Sequence, residues 1–144
     1  MPTHAKIEFV PHTPEQVFEL VADIERYPEF LPWCQGARIR SRTDDSVLAD
    51  LIIGFKGITE RYTSRVTLDR DQMIVDVKYE NGPFKHLKNH WKFFEAEGGC
   101  NIDFYIDFEF KSRLLQALIG AVFNEAVHKM VAAFKTRAAE IYGS

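Results

Sequence analysis

Residues 101–123 read NIDFYIDFEFKSRLLQALIGAVF, and the hydrophobic period changes once inside them. Ile102, Phe104, Ile106 and Phe108 alternate with Asp103, Tyr105, Asp107 and Glu109, as in a strand with one apolar face. Beyond Ser112, which suits a helix N-cap, the apolar spacing becomes helical. Leu115, Leu118, Ile119, Val122, Phe123, Ala126, Met130, Ala133, Phe134, Arg137 and Ile141 trace one face. That predicts a C-terminal helix of roughly eight turns at about 3.6 residues each.

Upstream of this switch, residues 37–110 keep the period of a strand. Ala37 and Ile39 alternate with Arg38, Arg40 and Arg42; Ala49, Leu51, Ile53 and Phe55 share a face. Ile58, Tyr62, Ser64, Val66 and Leu68 form the next apolar row, then Met73, Val75, Val77 and Tyr79, then Leu87, Asn89, Trp91 and Phe93. Turn residues separate the rows at 43–46, 54–57, 81–83 and 98–99. Such segments, each with one apolar and one polar face, make an antiparallel sheet solvated on one side.

Near the N-terminus, Ile7 and Phe9 alternate with Lys6 and Glu8 as a first strand, ended by Pro11. Thr13-Pro14-Glu15-Gln16 has the form of a capping box with proline at the first helical position. Val17, Phe18, Leu20, Val21 and Ile24 continue the helix, which Tyr27-Pro28 should break. Residues 28–31 offer one further turn, stopped by Pro32. The expected fold is therefore α+β: a curved antiparallel sheet of about seven strands, two short helices after strand 1, and one long helix large enough to cover the apolar side. The length suits a single domain over 1–144.

Composition narrows the functional classes. The net charge of −3 advertises no nucleic acid across the whole surface. Cys34 and Cys100 lie far apart in no C-x-x-C pattern, which argues for a reducing compartment and against a zinc ribbon or disulfide scaffold. Met1–Lys6 has no apolar core of a signal peptide and no Arg/Ser-rich leader, so a cytoplasmic location is expected. His86 and His90, four apart on a strand, would stand roughly 13 Å from each other, too far to share one ion. Asp103, Asp107 and Glu109 are expected opposite Lys92, Lys88 and His86 as outer-face charge pairs. No nucleophile elbow or phosphate loop is present. Arg38, Arg40 and Arg42 on one face, and Arg61 and Arg65 on another, offer either a solvated surface or a phosphate-binding patch.

Three stretches carry a resemblance. Tyr27-Pro28-Glu29-Phe30-Leu31-Pro32-Trp33-Cys34 resembles the Y-P-x-F-x-P-W-C signature of the coenzyme Q-binding Coq10 proteins and their bacterial relatives, the RatA-type proteins. Residues 82–91 and 123–134 agree with the same family, within the polyketide cyclase/SRPBCC superfamily. The resemblance implies a START-like, Bet v 1-like helix-grip fold with a tunnel between sheet and long helix. It implies ubiquinone or a polyprenyl precursor as bound ligand, with no separate cofactor and no chemical turnover. It also brings a rival role, association with a ribosomal subunit, and a third, a cyclase-like enzyme. Peripheral contact with the inner face of the bacterial inner membrane fits the first role.

The expected tunnel lining is Phe30, Trp33, Ile53, Tyr62, Tyr79, Asn89, Trp91, Leu115, Leu118, Ile119, Val122, Phe123 and Met130. Among these, Asn89, Tyr62 and Tyr79 are the candidates for the quinone head. Gly120, inside the apolar run of the last helix, should permit either close packing or movement of the helix as a gate.

Overall fold

A computed structural model describes residues 3–143 except Pro32 and Lys56, and omits the side chains of Thr3, His4, Lys6 and Phe55. The expected stop at Pro32 and the inward side chain of Phe55 lie outside the described residues. The elements run β1 (Thr3–Val10), α1 (Pro14–Ala22), a 3₁₀ helix (Ile24–Glu29), β2 (Cys34–Arg42), β3 (Ser46–Phe55), β4 (Ile58–Asp69), β5 (Ile74–Asn81), β6 (Phe84–Ala96), β7 (Gly99–Phe110) and α2 (Arg113–Tyr142). One antiparallel sheet has the order β1-β7-β6-β5-β4-β3-β2, and α2 crosses its inner face.

Local chemistry explains most boundaries. Thr13 accepts the Gln16 N–H through its hydroxyl at 3.1 Å, and the Gln16 side chain accepts the Thr13 N–H at 3.0 Å, completing the capping box. Ser112 caps α2 by accepting the Leu115 N–H at 3.2 Å. The tight turns at Gly57 (φ +81°) and Gly98 (φ +80°) need a left-handed residue, which glycine supplies without strain. The β6–β7 register pairs Lys92 with Asp103, Lys88 with Asp107 and His86 with Glu109, as the alternation predicts.

Three expectations need correction. First, α1 ends at Ala22, before Tyr27-Pro28, and the following turn covers Ile24–Glu29 with Pro28 inside it. The missing N–H of Pro28 is tolerated because the N–H groups of Arg26, Phe30 and Leu31 close the tight turns around it.

Second, β1 shows its apolar residues to solvent. Ile7 pairs with Asp103 and Phe9 with Asn101, on the outer face of the sheet, where they are 62% and 47% exposed. Register with β7 fixes the face, so Glu8 and Val10 turn inward, and Glu8 meets Lys135 of α2 at 3.4 Å.

Third, the arginines of β2 do not share a face. A bulge between Ile39 and Ser41 leaves Arg38 paired with outer Asp50 but Arg42 paired with inner Val47. Arg40, at the bulge, binds buried Asp50 at 2.7 Å.

Rings fill the core. Phe84 packs against Tyr62, Tyr79, Phe108 and Phe110, while Trp91 packs against Phe93, Phe104 and Phe134. On α2 the fully buried residues are Phe123, Val127, Phe134 and Ala138. Val127 and Ala138 lie beside the expected stripe. Ile141 lies on it but is 49% exposed, because it overhangs a polar cleft.

Candidate functional site

Two adjoining hollows lie between the sheet and α2. The outer one, about 170 Å³, sits under residues Leu115–Met130 of α2 against Ile53, Ile58, Tyr62, Phe84, Phe108 and Phe110. The inner one, about 140 Å³, is lined by Leu51, Ser64, Val77, Asn89, Trp91 and Phe104, with Phe134 of α2 on its other wall. Trp33, Ile53, Tyr62, Leu87, Ile106 and Met130 line both, so Tyr62 stands where they meet.

The structure brings together Trp33, Ile53, Tyr62, Asn89, Trp91, Leu115, Leu118, Ile119, Phe123 and Met130 of the expected set on these walls. It leaves out three. Phe30 packs on Tyr27 and Phe134 outside the hollow, under the Arg137 guanidinium. Tyr79 turns its hydroxyl to accept the Phe84 N–H at 3.0 Å, which commits it to the β5–β6 connection. Val122 sits half-buried beside the walls without lining either hollow.

Sequence reasoning missed Phe84, Leu87, Phe108, Phe110, Val127 and Glu60. Glu60 was legible: it lies between Ile58 and Tyr62 in the same parity of β4, and it pairs with Ile53. A charged residue in an apolar row is easily skipped as noise.

The polar groups of the hollow differ in how they are satisfied. Asn89 donates to the Tyr105 carbonyl at 2.8 Å and accepts the Trp91 indole N–H at 3.2 Å. Tyr27 donates to the Val21 carbonyl. Tyr62 has no hydrogen-bond partner among the described residues. Burial, with Cys34 nearby, pushes its hydroxyl far above the usual phenol value, so it remains protonated. Burial likewise raises the Cys34 thiol, which opposes the thiolate a nucleophile needs.

Away from the hollow, a polar cleft of about 900 Å³ opens between α1, the β2–β3 and β4–β5 turns and the end of α2. Its charges largely pair: Arg70 with Glu19 at 3.2 Å, Arg26 with Asp23 at 3.1 Å, and Arg137 with Glu29 at 2.6 Å. Arg42, turned inward by the bulge, joins this cleft. No group of three or more His, Cys, Asp or Glu gathers as a metal site among the described residues.

The family model for polyketide cyclase / dehydrase and lipid transport proteins matches residues 10–135. The chain belongs to this polyketide cyclase and lipid-transport family. Within it, the chain is 41% identical to the ribosome association toxin RatA of Rickettsia prowazekii, over 96% of this chain and 95% of that one. It is 35% identical to the mitochondrial coenzyme Q-binding protein COQ10 homolog B of Xenopus laevis, over 90% of this chain and 54% of that longer protein. A START superfamily protein from Mycobacterium smegmatis superposes with a TM-score of 0.81 over 96% of this chain and 98% of its own. Its 16% identity speaks for the fold alone, which is the expected START-like helix grip. These two relatives are named for binding or association, while the family as a whole also takes in cyclases and dehydrases.

Proposed function

We propose that this family member holds a polyprenyl quinone, ubiquinone or a precursor, as a carrier and not as a catalyst. The observation that carries the reading is the pair of adjoining apolar hollows between sheet and α2, with aromatic walls and the protonated Tyr62 hydroxyl on the wall they share. Burial of isoprenoid surface, worth about 25 cal/mol per Å², supplies the affinity. A dry cavity of about 150 Å³ accommodates a benzene-sized molecule, so each hollow takes one ring or one branched unit. A longer chain requires the first turns of α2 to lift. Those turns are suited to it, since no residue of α2 before Phe123 is fully buried.

The same turns suit a bilayer surface. Leu114, Ala117, Gly120 and Ala121 are exposed, and no charge occurs between Arg113 and Glu125. The most apolar part of α2 has a mean hydropathy of 1.3 with only 17% of it buried. Lys111 and Arg113 flank this surface without ion-pair partners among the described residues, in keeping with anionic headgroups. We place the protein at the cytoplasmic face of the inner membrane on this reading.

A second reading, association with a ribosomal subunit, is favoured by the name of the Rickettsia relative. Its sequence basis is weaker once Arg42 leaves the outer face and Arg40 is engaged by Asp50; Arg38 and Arg61 remain. Mass spectrometry of organic extracts from protein purified out of a quinone-making host separates the two. Stoichiometric quinone supports the carrier. An empty protein that pellets with ribosomal subunits, and no longer does so after Arg38→Glu and Arg61→Glu, supports the second.

A further inference from the structure

Among the described residues that line the two hollows, one side chain is charged, and it is Glu60. Its register partner is Ile53, so it faces inward beside the outer hollow. It is half-buried, and no ion pair or hydrogen bond involves it among the described residues. Tyr62 lies two residues further along the same face of β4, roughly 6.6 Å away along the strand. The wall thus presents a carboxylate, which only accepts, beside a hydroxyl, which donates or accepts.

That pair discriminates among lipid ends. A quinone ring carries acceptor oxygens alone, so against Glu60 it meets an acceptor and gains nothing. A phenol or hydroquinone brings an O–H that donates to the carboxylate in a charge-assisted bond, the stronger class of hydrogen bond. An amphiphile ending in a carboxylate or phosphate meets like charge and is disfavoured. We propose that Glu60 makes this a site for the hydroxylated, reduced end of an isoprenoid aromatic, a phenol or hydroquinone, in preference to the quinone. The inference deepens the carrier reading and rests on it.

The test uses the full chain and a short-chain prenylated hydroquinone kept reduced under anaerobic conditions, its matched quinone, and a prenyl hydrocarbon lacking oxygen. Binding of each is measured by quenching of tryptophan fluorescence. The wild-type protein is expected to favour the hydroquinone by about tenfold or more, the ratio that corresponds to one hydrogen bond to a charged group. Glu60→Leu and Glu60→Gln, checked by circular dichroism for an intact fold, should reduce the ratio to near one, Leu by weakening the hydroquinone and Gln also by strengthening the quinone, to whose oxygens its amide can donate. Equal affinity for both forms in the wild type, or a preference that survives in Glu60→Leu, would overturn the role of Glu60 and leave the carrier reading standing. Failure of all three ligands to bind would overturn both.

Discussion

Asn89 accepts the indole N–H of Trp91 at 3.2 Å while its amide nitrogen donates to the Tyr105 carbonyl at 2.8 Å. Two residues apart on β6, the pair fixes a large ring against Phe104 and Phe134 in the centre of the core. Asn89 is therefore a structural clamp first. Asn89→Leu orphans a donor and an acceptor, and should cost about 1–3 kcal/mol in urea unfolding. Retention of full stability would show that the clamp contributes nothing.

Tyr62 presents the opposite case. Its hydroxyl has no protein partner among the described residues, so Tyr62→Phe should leave stability within about 0.5 kcal/mol of the wild type. Co-purified aromatic lipid should nevertheless fall, read by mass spectrometry. An unchanged lipid content would remove Tyr62 from the site.

Acid should weaken the fold through Asp50. Burial alone would raise its pKa, but the Thr63 hydroxyl, then the hydrogen bond and charge of Arg40, then Arg61, together hold it below the usual carboxylate value. A depressed folded pKa gives stability that is present above the unfolded value of about 3.9 and is lost as pH falls through the folded one. Arg40→Ala should lower stability at neutral pH and flatten this acid limb, measured as ΔG of unfolding between pH 7 and pH 2.5. An acid limb identical to that of the wild type would mean that Arg40 does not hold the carboxylate down.

Gly120 sits in α2 with open space where a Cβ would stand, which rules out close packing as its reason. Gly120→Ala should then stabilise the helix by about 0.5–1 kcal/mol and raise the thermal midpoint. If this turn must loosen for a ligand to enter, lipid uptake followed by stopped-flow fluorescence should slow. An unchanged uptake rate would assign the gate elsewhere.

Leu114 is 67% exposed at the start of α2, so Leu114→Glu should not disturb folding. With Ala121→Glu it should abolish flotation with vesicles of mixed neutral and anionic lipid. Lys111→Glu should weaken binding to the anionic fraction, each cation near such a surface being worth about 1 kcal/mol. Persistent flotation of the double variant would mean that a different surface meets the membrane.

Sequence alone determined the order of elements, the β6–β7 register and the caps at Thr13 and Ser112, because period, turn glycines and capping side chains act over a few residues. Ten of the thirteen expected lining residues stand on the hollow walls, since parity along a strand decides which side chains share a face. The structure decided what depends on neighbours distant in sequence. Pairing with β7 turned Ile7 and Phe9 outward, and a single bulge sent Arg42 to the opposite side from Arg38. Tyr79 and Phe30 left the site for the same kind of reason, one bonding the Phe84 backbone and the other packing beneath Arg137. Periodicity specifies that a face is apolar; only the register between elements fixes which face is covered, and therefore that Glu60 looks into the hollow.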